Sequence, residues 1–90
     1  MELTLKGVCA IRQIELLRAY DEYGFGSARN IEELRFGDTS RQLWKRAPEL
    51  VQMGLLEDTG LTEISITTFR PGKIRRITSN GRDVLRAISI

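Results

Sequence analysis

Apolar residues recur at three- and four-residue spacing near the start of the chain: Leu5, Val8, Cys9, Ile11, Ile14, Leu16 and Leu17, with Arg12, Glu15 and Arg18 set among them. That periodicity predicts an amphipathic helix from Leu5 to Glu22, with Thr4 as its N-cap, Leu3 packing on Val8, and Gly24-Phe25-Gly26 as its stop. Ser27 then stands before a short second helix in which Ala28, Ile31 and Leu34 share one face and the charged pair Glu32 and Glu33 faces solvent. Phe36-Gly37-Asp38 ends it, with glycine free to adopt a left-handed backbone. Thr39, with Gln42 three residues on, has the spacing of a capping box and opens a third helix. Leu43, Ala47 and Leu50 fall at i, i+4 and i+7 on its core face, Arg41 and Lys45 lie nearly opposite, and Trp44 is on the flank. Pro48 removes a backbone donor and crowds the carbonyl of Trp44, so a kink or break is expected near Ala47.

The period then changes from helix to strand. Glu63-Ile64-Ser65-Ile66-Thr67-Thr68-Phe69 is rich in β-branched residues and places Ile64, Ile66 and Thr68 on one face. Arg70-Pro71-Gly72-Lys73 reads as a turn, and Ile74-Arg75-Arg76-Ile77 as the returning antiparallel strand. Thr78 caps a last helix whose stripe of Val84, Leu85 and Ile88, continued by Ile90, either closes the core or pairs two chains. The predicted order is helix, helix, helix, hairpin, helix: an α+β chain, mainly α. Residues 1–90 hold no linker, repeat or low-complexity tract and read as a single domain.

Composition narrows the chemistry. A chain of 90 residues buries only roughly 60–65% of its unfolded surface, which leaves little for a deep substrate cleft. Without histidine there is no imidazole base or ligand, and the single cysteine, Cys9, flanked by Val8 and Ala10, suits an inert buried thiol. Adjacent carboxylates such as Glu32-Glu33 and Glu57-Asp58 do not converge on one site. No enzymatic activity, metal or cofactor is expected. The start of the chain lacks the features of a signal peptide and no apolar run is long enough to span a bilayer, so a cytoplasmic protein without a membrane partner is expected. The formal charge is only +2, yet between Arg70 and Arg86 six basic residues (Arg70, Lys73, Arg75, Arg76, Arg82, Arg86) face one acidic residue, Asp83. A local positive field of that kind attracts phosphate, although a solvated basic surface would give the same count.

Two segments bear a likeness to known proteins. Arg46-Ala47-Pro48-Glu49-Leu50-Val51-Gln52-Met53-Gly54-Leu55-Leu56-Glu57 resembles the end of a winged-helix recognition helix, where Leu-x-x-x-Gly-Leu-Leu/Ile-Glu leads into the wing. Ile77-Thr78-Ser79-Asn80-Gly81-Arg82-Asp83-Val84-Leu85 is similar to the Leu-Thr-x-x-Gly-x-x-x-Leu segment that follows the wing in the multiple-antibiotic-resistance (MarR) and phenolic-acid (PadR) regulator families. From Thr4 to Ile88 the chain therefore resembles a winged helix-turn-helix domain: a three-helix core, a two-stranded hairpin wing and a C-terminal helix. The resemblance implies a double-stranded DNA-binding transcriptional regulator, with the third helix in the major groove and the wing on the backbone or in the minor groove. Thr39 and Ser40 would then donate to phosphate at a helix N-terminus, Arg41 and Lys45 would reach base edges with Arg41 the preferred reader, and Arg70, Lys73 and Arg75 would carry the wing contacts. Trp44 has three open placements: the core edge, which is favoured, a sugar or base of the DNA, or a partner protein. A weak homodimer is expected. The alternative is a winged-helix protein-interaction module, an adaptor subunit or viral host-factor binder that does not bind DNA.

Overall fold

The computed structural model describes residues 10–66 and 68–88. The first helix, α1, runs over Ile11–Tyr23 and buries Leu16, Leu17, Ala19 and Tyr20. The expected start at Leu5, the Thr4 cap, the Leu3–Val8 contact and Cys9 lie outside the described residues. The Gly24 N–H donates to the Tyr20 carbonyl at 2.8 Å and turns the chain at a φ of 93°. The next two residues are more than a stop. Phe25–Gly26 forms a short strand, β1, and the Tyr20 hydroxyl, fully buried, donates to the Gly26 carbonyl at 2.8 Å.

The second helix, α2, spans Ala28–Phe36, with the Ser27 hydroxyl accepting the Asn30 N–H and Gly37 closing it at a left-handed φ of 85°. Two side chains on it depart from expectation. Glu32 is fully buried rather than solvent-facing, whereas Leu34 is 56% exposed rather than in the core. Helical geometry explains the exchange: Glu32 stands about 40° from the Ala28 line and Leu34 about 120° from it.

Thr39 opens no helix. The Asp38 carboxylate takes the N–H and hydroxyl of Ser40 at 3.1 and 2.8 Å, and the Gln42 N–H donates to the Thr39 carbonyl, so residues 38–42 form a turn that ends with Gln42 at a φ of 55°. A 3₁₀ turn follows over Leu43–Arg46 and passes at Ala47 into a short helix, α3, over Ala47–Gln52. This is the break expected from Pro48. The proline lies in the first turn of α3, where its fixed φ suits the start of a helix. Leu43, Ala47 and Leu50 are fully buried, as their spacing predicts.

The hairpin is longer and differently registered than predicted. Strand β2 runs over Leu56–Ile64 and strand β3 over Pro71–Ile77, so the first strand begins at Leu56 rather than Glu63. Pro71 and Gly72 pair with Ile64 and Glu63 inside the ladder, and the turn falls at 65–70 instead of 70–73. Local propensity misses this because Leu56-Glu57-Asp58 earns its strand from the partner it meets, Arg75-Arg76-Ile77, and not from β-branching. Between Asp58 and Thr62 the ladder bulges, with Gly60 at a φ of 85° and the Thr59 hydroxyl donating to the Ile74 carbonyl at 2.8 Å. Strand β1 pairs with the other edge of β3, giving an antiparallel sheet of order β1-β3-β2.

The last helix, α4, covers Ser79–Ile88. The Thr78 hydroxyl accepts the Gly81 N–H at 3.0 Å and donates to the Gly54 carbonyl at 2.6 Å. Glycine is required at position 81: a Cβ there would lie 2.7 Å from Ile77 Cγ1 and closer still to the Leu55 carbonyl oxygen. Val84 and Leu85 are buried with α1, the 3₁₀ turn and the strand ends in one cluster, and Ile88 packs against it. The apolar stripe of α4 thus closes the core, Ile90 being outside the described residues. Among the described residues no helix is long and apolar enough to cross a membrane.

Candidate nucleic-acid interface

Tertiary pairing redistributes the charge that the sequence concentrates near its end. Arg75 pairs across the ladder with Asp58 at 3.0 Å, Arg76 with Glu57, Arg82 with Asp21 at 3.6 Å, and Arg86 with Asp83 at 2.7 Å. Of the six basic residues between Arg70 and Arg86, only Arg70 and Lys73 have no carboxylate within ion-pair distance among the described residues. The expected field of the wing is therefore carried by two side chains.

Those two meet a third cation, Arg29, which lies far from them along the chain. A groove of about 530 Å³ runs between the start of α2, the 3₁₀ turn and the hairpin, and Arg29, Trp44, Arg70 and Lys73 line it. The Arg29 guanidinium carbon lies 3.6 Å from the centroid of the Trp44 ring, and the Lys45 ammonium stands 5.5 Å from the same ring. Neither cation has a carboxylate partner among the described residues. Arg75 also lines the groove, but with its charge already met by Asp58. Ser27, Ser65 and Thr68 add hydroxyls to the wall.

The groove is held from behind by carboxylates that face inward. Glu63 accepts the Ser27 N–H at 2.6 Å and the Asn30 side-chain N–H at 2.9 Å. Burial acts to raise the Glu63 carboxyl, but the hydrogen bonds from the Ser27 N–H, Asn30 and the Ser27 hydroxyl outweigh it and hold the group below its ordinary value. Asn30 continues the clamp, donating to the Ile64 carbonyl at 3.2 Å and accepting the Ile66 N–H at 2.9 Å. Gly72 permits the close approach, since a Cβ there would lie 2.9 Å from Ser27 Cβ. On the opposite wall, one oxygen of buried Glu32 accepts the Trp44 N–H at 3.0 Å, and its other oxygen has no hydrogen-bond partner among the described residues. Trp44 itself is half-buried and packs against the core, the favoured placement.

The predicted contact residues divide into two sets. Trp44, Arg70, Lys73 and Arg75 converge on the groove, with Lys45 against the indole. Thr39, Ser40 and Arg41 do not line it. Ser40 is bound to Asp38, whose carboxyl the Ser40 hydroxyl and N–H hold below the usual carboxylate range, so it does not stand at a helix N-terminus. Arg41 belongs to the turn rather than to a helical face; its guanidinium lies 4.3 Å from the Phe36 ring centroid and its carbonyl accepts from Arg12. Arg29 was not singled out by spacing. Its one signal is position: a cation in the first turn of a helix opposes the macrodipole and needs another reason to be there. Among the described residues no group of carboxylates or thiols is placed to hold a metal ion. A scan against protein-family models found no match for this chain, and searches of curated proteins and of solved structures found none either.

Proposed function

We propose that the protein is a small winged-helix double-stranded DNA-binding regulator without enzymatic activity, which grips a phosphodiester strand in the groove between Trp44 and the hairpin. The observation that carries this reading is the convergence of Arg29, Arg70 and Lys73, with Lys45 beside them, on one concave surface while six other cations are neutralised by carboxylates. Unpaired cations on a concave wall are what a polyanion neutralises. The helical order and the β1-β3-β2 sheet support the winged-helix reading. The 3₁₀ turn and α3 present Lys45, Pro48 and Gln52 outward, so Lys45 and Gln52 are the residues offered to base edges and Arg41 contacts phosphate from the preceding turn. A protein-interaction role remains the second reading, favoured by Phe25 and Leu34, both exposed.

Fluorescence anisotropy of a random duplex of about 30 base pairs, titrated from about 50 to 200 mM salt, tests it. Four neutralised phosphates give an expected slope of log K against log salt of about −3 to −4, and Arg29→Ala lowers its magnitude by about one. Absence of binding at the lowest salt would overturn the DNA reading in favour of the protein-interaction one.

A further inference from the structure

The turn that joins β2 to β3 carries two exposed apolar side chains where a basic tip was expected. Ile66 and Phe69 are 54% and 78% exposed, and Ile64 at the end of β2 is exposed beside them. From Ile64 to Ile74 the sequence contains no carboxylate, while Arg70 and Lys73 lie within that stretch. The described residues of the tip are hydrogen-bonded to one another and to α2. The Ser65 N–H donates to the Arg70 carbonyl at 2.8 Å, the Phe69 N–H to the Ser65 carbonyl at 2.9 Å, and Asn30 of α2 accepts the Ile66 N–H. Phe69 holds a φ of 58°, a left-handed backbone that glycine adopts freely and an aromatic residue does not. A bulky ring is thus kept exposed at a position whose backbone favours glycine, which points to a use for the ring.

We infer that this tip is a wedge for stacked bases: Phe69, with Ile66 beside it, enters a base-pair step from the minor groove, while Arg70 and the groove cations hold the flanking phosphates. The inference rests on the reading that the protein binds duplex DNA. Apolar side chains inserted at a step unstack it and bend the duplex away from the protein. An apolar tip next to cations also suits an anionic bilayer. The duplex is favoured because Arg29 and Lys73 lie inside a concavity behind the tip, which a curved phosphodiester strand can enter and a bilayer surface cannot.

The test uses a duplex of about 30 base pairs with dyes at its ends for energy transfer and 2-aminopurine at a central TpA step, the kind of step that deforms most readily. Wild-type protein is expected to raise 2-aminopurine emission and to bend the duplex by about 20–90°. Phe69→Gly removes the ring and relaxes the backbone, so the fold is not put at risk; it is expected to bind the duplex with the same salt slope and to leave it straight and stacked. Equal bending by Phe69→Gly would overturn the wedge, as would wild-type binding without bending or unstacking, and either result leaves the DNA-binding reading standing. Failure of the wild type to bind any duplex would overturn both. Capture on phosphatidylserine vesicles in that case, lost in Phe69→Gly, would assign the tip to a membrane surface instead.

Discussion

A buried carboxylate is costly unless its oxygens are used, and at Glu32 one of them is. It accepts the Trp44 N–H, the backbone donor at the point where the chain leaves the Asp38–Gln42 turn, and so fixes the indole that forms one wall of the groove. Glu32→Ala leaves that N–H without its acceptor and opens a void, with an expected loss of about 1–3 kcal/mol in urea unfolding. Glu32→Gln keeps an acceptor in place and should lose less. A stability for the glutamine variant as low as that of the alanine variant would show that charge, and not the hydrogen bond, matters at this position. The neighbouring pair Glu32-Glu33 looks like surface charge in the sequence because carboxylates are rarely buried. Only the meeting of α2 with the 3₁₀ turn, a contact between residues 12 apart, reveals otherwise.

Elements built on their own periodicity were legible. Leu43, Ala47 and Leu50, the Ser27 cap, the Gly37 stop, the break at Ala47 and the Thr78 cap of α4 follow from local spacing and turn chemistry. The hairpin was not, because its register is set by pairs such as Asp58↔Arg75 and Glu57↔Arg76, which no local pattern displays. Its attachment to α2 is a polar clamp at Glu63, and this gives a pH dependence with a definite sign. The carboxyl is depressed in the folded state, so its contribution to stability is complete above its unfolded value of about 4.5 and fades as pH falls below that. Between neutral pH and pH 4 the wild type should therefore lose more stability than Glu63→Gln, measured by thermal unfolding across the series. Parallel losses in the two proteins would place the acid sensitivity elsewhere.

Across the whole molecule, formal charge is a poor guide to field. Arg75 and Lys73 are two residues apart and both line the groove, yet Arg75 is paired with Asp58 and its side chain is only 14% exposed, whereas Lys73 has no carboxylate partner among the described residues. Lys73→Ala should reduce the salt slope of duplex binding by about one, and Arg75→Ala by much less while weakening the hairpin. Equal reductions would mean that the Asp58 pair opens on binding. The groove was only half legible for the same reason. Arg70, Lys73 and Trp44 carry visible chemistry, but Arg29 joins them only once α2 and the hairpin are packed together. Strand β3 is bonded on both edges, to β1 and to β2, and Gly72 rests against Ser27 at the cap of α2. The hairpin is thus held at particular points, by Phe25 and Gly26 against Arg76 and Arg75 and by Ser27 against Gly72. In the proposed complex, a hairpin rooted in this way would leave the work of accommodation to the DNA.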